Sequence, residues 1–97
     1  MNTLLRTTDF DEWLQNLRDQ KARARVLARL VSASLGNFGD CKHVGAGVSE
    51  MRIDFGPGYR VYFGRWGKTK YVLLTGGDKS TQTADIRCAQ EILREWH

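Results

Sequence analysis

Basic side chains set among turn glycines are the first candidates for chemistry in this chain. Gly56-Pro57-Gly58-Tyr59-Arg60-Val61-Tyr62-Phe63 reads as a tight turn feeding a strand. Tyr59, Val61 and Phe63 fall on one face of that strand, Arg60 and Tyr62 on the other, outward one. Further on, Leu73-Leu74-Thr75-Gly76-Gly77-Asp78-Lys79-Ser80-Thr81-Gln82 reads as a buried strand closed by a glycine pair, a lysine and the start of a helix. Together they set cations and small residues at the end of a half-buried sheet, a surface suited to a phosphate backbone. The charge distribution points the same way. Lys42, Arg52, Arg60, Arg65, Lys68, Lys70 and Lys79 face only Glu50, Asp54 and Asp78 within their segment, while the rest of the chain has eight bases and eight acids. The whole excess of +4 therefore sits in the expected sheet and its turns. Such a field points to nucleic acid or an acidic protein as partner, or else to a solvated basic surface that serves solubility.

These residues must be held by elements that the patterning outlines. Thr3 to Thr7 suits a short first strand. Asp9 with Glu12 makes a capping-box pair, followed by Phe10, Trp13, Leu14 and Leu17 on one helical face. A second helix is expected from Lys21 to Leu35, with Val26, Leu27, Leu30 and Val31 inward and Arg23, Arg25 and Arg29 on its other face. Gly36-Asn37 ends it as a left-handed cap. Asp40 to Val44 suits a short strand. Val48 to Phe55 alternates Met51, Ile53 and Phe55 against Glu50, Arg52 and Asp54, so a charged outer face is expected. Tyr59 to Trp66 and Tyr71 to Leu74 complete the strands. A last helix begins near Ser80 or Thr81, either of which supplies a capping hydroxyl, with Ile86, Ala89, Leu93 and Trp96 inward and Ile92 beside them. The order is β-α-α-β-β-β-α: an α+β fold with a mostly antiparallel sheet packed against helices.

The 97 residues make one domain, 1–97, with 41% apolar residues to form its core. No apolar run approaches the ~20 residues of a membrane span, and the N-terminus lacks a signal-peptide pattern. A cytoplasmic protein without membrane attachment is expected. Cys41 and Cys88 are far apart and form no CxxC pair, so no metal site, redox motif or cofactor is read, and both are expected to be small buried or half-buried residues. His43 lies near the glycine turn, and His97 is terminal.

Several stretches, in order, carry a family resemblance: Phe10-x-x-Trp13-Leu14, Gly36-Asn37-Phe38-Gly39-Asp40-x-Lys42-x-Val44-Gly45, and Val48-x-Glu50-Met51-Arg52-Ile53. Gly58-Tyr59-Arg60-Val61-Tyr62-Phe63 and Leu74-x-Gly76-Gly77-Asp78-Lys79-Ser80-Thr81-Gln82 complete the set. With them the chain resembles the RelE/ParE superfamily of bacterial toxins, in its phage-derived addiction-module killer branch near the HigB-like toxins. The resemblance implies a microbial-RNase-type α+β fold and the toxin of a type II toxin–antitoxin module. It implies a ribosome-dependent mRNA endoribonuclease, the alternatives being a toxin acting on DNA gyrase or an inactive RNA-binding relative. Its partners would be the ribosome, mRNA and a cognate antitoxin, a small helix-turn-helix protein, in homo- or hetero-oligomers.

Cleavage of RNA by its own 2′-hydroxyl requires a base, cations around the phosphorane and an acid for the leaving oxygen; it needs no metal. By resemblance, Arg60, Lys79 and Arg52 are the catalytic candidates. Lys42, Arg65, Lys68, Gln82 and Tyr62 are the RNA-binding candidates, Tyr62 as a stacking surface. Asp85 stands where relatives carry a catalytic aromatic, and Thr81 or Gln82 where an arginine is expected, so the best-known catalytic set is incomplete. The arrangement demands that Arg52, Arg60 and Lys79 converge beside the closing helix.

Overall fold

The structure, a computed structural model, describes residues 1–96. Five strands form one sheet: β1 (Thr3–Arg6), β2 (Cys41–Gly45), β3 (Val48–Ile53), β4 (Tyr59–Arg65) and β5 (Lys70–Asp78), in the order β1-β5-β4-β3-β2. β1 runs parallel to β5, and every other pair is antiparallel. Helices α1 (Thr8–Gln15) and α2 (Gln20–Ser34) follow β1, and α3 (Gln82–Glu95) closes the fold after a 3-10 turn at Lys79–Thr81. The α+β class and the mostly antiparallel sheet are those expected, and the short strand expected over Asp40–Val44 runs from Cys41 to Gly45.

Both faces of the sheet are covered. One packs on α1 and α2 through Phe10, Leu14, Val26, Leu30, Met51, Ile53, Val61, Phe63 and Leu73. The other packs on α3 through Val48, Tyr62, Val72, Leu74 and Ala89, with Ile86, Ile92, Leu93 and Trp96 against them, as the helical spacing foretold. This second layer corrects two expectations. Tyr62 does not face outward, being 0% exposed beneath α3, and the outer face of β3 is not open, since Glu50 is also fully buried. An amphipathic third helix needs a sheet face of its own, and the α3 face is the one available.

Local details differ in instructive ways. The cap of α1 is Thr7, whose hydroxyl accepts from the Phe10 amide at 3.0 Å, rather than Asp9. Thr81 stands at the N-cap of the last helix, as one of the two expected positions, but its hydroxyl makes no capping hydrogen bond; Asp78 accepts from the Ser80 amide at 2.8 Å and caps the 3-10 turn before it. The Gly36-Asn37 cap of α2 forms as expected, with Gly36 at φ +102° and Asn37 N–H donating to the Ser32 carbonyl. α2 is rotated from the expected orientation. Ala22, Val26, Leu30 and Ala33 are buried, whereas Leu27 and Val31 are 37% and 60% exposed. The two alanines let the helix axis approach the sheet, and that choice of stripe turns Leu27 and Val31 to solvent. Cys88 is likewise exposed, and Cys41 half-buried.

β5 runs on past Leu74 through the glycine pair to Asp78, with Gly76 opposite Val61 and Gly77 opposite Arg60. The glycines do not end the strand; they admit neighbours. A Cβ at Gly76 would stand 2.3 Å from the Trp13 ring, and one at Gly77 1.9 Å from Asp85 Oδ2.

Candidate functional site

At the end of the sheet where β3 and β5 finish and β4 begins, Arg52 stands opposite Arg60, and Arg60 opposite Gly77. Directly opposed residues share a face. Arg52 and Arg60 thus lie on the α3 side with Glu50 and Tyr62. Lys79 follows in the 3-10 turn, and a Cβ at Gly58 would lie 3.5 Å from its own. The β3–β4 turn, the end of β5 and the start of α3 thereby bring the three catalytic candidates to one corner.

Their surroundings differ. Arg52 donates to Asp40 Oδ1 through Nη2 at 2.7 Å, on the surface. That hydrogen bond holds the Asp40 carboxyl below its usual range, and the charges of Arg29 and Arg60 add to it. Arg60 is nearly buried, its side chain 12% exposed, with Nε 3.7 Å from Glu50 Oε2. Its Nε is enclosed without a hydrogen-bond partner, and the guanidinium makes no hydrogen bond among the described residues. Lys79 is exposed and lies within 4.0 Å of no carboxylate among the described residues. Two cations are thus balanced by acids, and the third is not.

Beneath them is a buried polar cluster. Gln82 Nε2 donates to Glu50 Oε2 at 2.8 Å, tying the first residue of α3 to β3. Glu50 Oε1 and the Tyr62 hydroxyl are enclosed without a hydrogen-bond partner. Burial pushes the Tyr62 phenol well above its usual range, and the charges of Glu50 and Asp85 push it further, so it stays protonated. Asp85 accepts from Thr81 Oγ1 at 2.5 Å and covers Gly77. A groove along the start of α3 is lined by Lys79, Thr81, Gln82, Thr83 and Arg87.

The other candidates divide between the two ends of the sheet. Lys42 stands opposite Glu50 on the edge strand and is exposed on the α3 face. Gln82 belongs to the corner, held against Glu50. Tyr62 is there too, but with no exposed ring to offer a base. Arg65 and Lys68 lie at the β4–β5 turn, where Arg65 donates to the carbonyls of Gly67 and Lys68 at 2.8 and 3.0 Å. Arg65 lies five positions beyond Arg60 along β4, roughly 17 Å at strand rise. His43 pairs with Ser49, Nδ1 to Oγ 3.0 Å, on the opposite face from Arg60. His97 lies outside the described residues.

Glu50 and Arg87 are site residues that the sequence patterning did not single out. Strand alternation set Glu50 on an outer face. The signal that could have recovered it was the apolar Val48 two positions earlier, which marks that face as covered. Arg87 follows Lys79 by eight residues and lacks a local signature.

The architecture is that of a small two-faced α+β domain with a cationic corner at a helix start. Residues 12–96 match the sequence pattern of the family described as "Phage derived protein Gp49-like (DUF891)", and the chain belongs to that family. It is also similar to an uncharacterized protein of Haemophilus influenzae (strain ATCC 51907 / DSM 11121 / KW20 / Rd). The two are 46% identical over 89 residues, covering 92% of this chain and 90% of that one. No helix among the described residues is long and apolar enough to cross a membrane.

Proposed function

We propose that this chain is the toxin of a toxin–antitoxin module, of the RelE/ParE type, and that it cuts ribosome-bound messenger RNA. Membership of the Gp49-like family supports the toxin reading. The observation that carries the nuclease reading is the shared corner of Arg52, Arg60 and Lys79 at the start of α3.

In this reading Lys79, exposed at the mouth of the α3 groove, meets the charge that builds on the scissile phosphate, and Arg87, farther along the groove, anchors a neighbouring phosphate. The Arg60 fork meets the scissile phosphate, where planar paired donors match two of its oxygens as charge builds. The Glu50 carboxylate, 3.7 Å from Nε, holds the guanidinium at the corner by charge, and cations already in place there stabilise a phosphorane with less reorganisation than solvent would need. Arg52, turned to Asp40, adds positive potential at the rim. Tyr62, held protonated, is no base. The ribosome supplies much of the orientation of the 2′-hydroxyl, which a corner of so few groups requires.

The test is a reconstituted translation reaction in which message 5′ ends are mapped. Wild type is expected to cut message only when ribosomes are present. Lys79→Ala and Arg60→Lys are expected to lower the cutting rate about 10²-fold or more. Lys79 is exposed and Arg60→Lys keeps the buried charge pair, so both variants remain folded. Intact message alongside arrested translation or replication would overturn the nuclease reading and favour a protein target such as gyrase.

A further inference from the structure

The far end of the sheet holds a hollow that the cationic corner does not use. It lies on the face opposite Arg60, and no residue of α1 or α2 lines it. Its floor crosses four strands. His43 of β2 stands opposite Ser49 of β3, Ser49 opposite Phe63 of β4, and Arg65 of β4 opposite Tyr71 of β5. Phe38, in the loop after α2, forms a wall. The cavity measures about 330 Å³, at the small end of ligand sites, which run from roughly 300 to 1,000 Å³. A molecule of one or two rings suits that size; a helix does not.

The bed is aromatic. Phe38 stacks on Phe63 with ring centroids 5.1 Å apart and leans on Tyr71 at 4.8 Å. Phe63 is buried, but Phe38 and Tyr71 are half-buried and keep ring surface for a ligand. The wall is set in advance, because the Phe38 carbonyl accepts from Arg29 Nη2 at 2.9 Å and from Cys41 Sγ at 3.2 Å. A flat ring gains most from such a bed, through offset or edge contacts.

Charge decides the rest. Lys42, His43 and Arg65 border the hollow, and no acid does. Alternation along β2 sends the Lys42 side chain to the other face. Arg65 is pinned by two neutral partners, Nε to the Gly67 carbonyl and Nη2 to that of Lys68. It lies within 4.0 Å of no carboxylate among the described residues, so its charge is fixed in place and unbalanced. His43 is tied through Nδ1 to Ser49 Oγ, and its Nε2 makes no hydrogen bond among the described residues. One guanidinium with one imidazole matches a single negative charge. A nucleotide brings a phosphate of about two charges and a polar sugar, more than this largely aromatic lining can satisfy.

We infer that this hollow binds a small aromatic carboxylate, its ring against Phe38 and Tyr71 and its carboxylate at Arg65 and His43. The site is separate from the corner of Arg60 and Lys79, so it does not depend on the RNA reading.

The probe is 2-naphthoate, titrated into the full chain labelled with ¹⁵N and followed by amide chemical shifts. Saturable shifts centred on Ser49, Phe63 and Tyr71 are expected, with a Kd at or below about 1 mM. The neutral isostere 2-naphthamide is expected to bind at least tenfold more weakly, and cyclohexanecarboxylate, which keeps the charge without the flat ring, several-fold more weakly. Arg65→Gln is expected to weaken 2-naphthoate at least tenfold and His43→Ala several-fold, while Lys79→Ala, which removes a cation elsewhere, leaves the Kd unchanged. Arg65 and His43 are both exposed, and an unchanged melting temperature verifies that their variants stay folded. Equal binding of the amide, undiminished binding by Arg65→Gln, or no saturation by about 10 mM would overturn the inference. Shifts centred on Lys79 and Gln82 would place the anion at the corner and overturn it as well. Tighter binding of adenosine 5′-monophosphate than of 2-naphthoate would make the hollow a nucleotide site and overturn it equally.

Discussion

Glu50 is fully buried, and a buried carboxylate persists only where donors and cations surround it. It accepts a hydrogen bond from Gln82 Nε2 at 2.8 Å and pairs by charge alone with Arg60 Nε at 3.7 Å. Removing one member strands the other, so Glu50→Gln is expected to destabilise the fold by about 3–5 kcal/mol in urea unfolding. Glu50→Gln/Arg60→Gln, which removes both charges, should recover most of that loss. If Glu50 serves the site by holding Arg60 at the corner, the two residues also couple in cutting. Glu50→Gln should slow wild type at least tenfold and have little further effect in an Arg60→Gln background. Independent, multiplying effects would mean that Glu50 only holds the fold together. Tyr62→Phe removes an enclosed hydroxyl that meets no hydrogen-bond geometry, so the fold is expected to be as stable or more stable, by up to about 1–3 kcal/mol, with cutting unaltered. A large fall in rate for that variant would show that the hydroxyl reaches the reaction.

At the scale of elements, the end of β5 decides how the site is assembled. Gly76 and Gly77 let α1 and α3 close on opposite faces of one strand, through Trp13 and Asp85. Gly76→Ala places a methyl inside the Trp13 ring volume and is expected to cost about 1–3 kcal/mol, with Trp13 fluorescence shifted. The Asp78 cap joins this strand to α3, and its removal in Asp78→Ala is expected to cost roughly 1 kcal/mol. Hydrogen bonds from Ser80 hold the Asp78 carboxyl below its usual range. Its contribution is therefore present above the unfolded carboxyl value and fades as pH falls through the lower folded one. The gap in stability between wild type and Asp78→Ala should close in that acid range and stay constant near neutrality. The elements themselves were largely legible in the sequence, because α1, β3, β4 and α3 have clean periods and the α2 cap has its glycine. The continuation of β5 was not. A glycine pair reads as a turn unless the neighbours that require the missing side chains are known.

Over the whole molecule, the excess charge read from the sequence splits between two ends of the sheet. Sequence position put Arg60, Arg65, Lys68 and Lys79 in one basic segment, since linear charge says nothing of strand direction. The hairpin reverses the chain, returning Lys79 to Arg60 and leaving Arg65 and Lys68 at the far turn. Burial was illegible for a related reason. Alternation along β3 and β4 separates two faces but does not reveal that a third helix covers the second. From this division follows a separation of roles under the nuclease reading. Arg65→Ala/Lys68→Ala removes two exposed cations roughly 17 Å from Arg60 along the strand, so it weakens attraction to RNA without touching the reacting phosphate. The double variant is expected to raise the KM for ribosome-bound message several-fold while kcat stays within about twofold. Its salt dependence should become shallower, by up to about 0.7 in the log–log slope for each single-strand phosphate that these cations no longer neutralise. Lys79→Ala should show the opposite pattern, with kcat falling most. A loss of kcat in the far-turn variant equal to that of Lys79→Ala would mean that the substrate spans both ends of the sheet during cleavage, and the corner alone would no longer define the site.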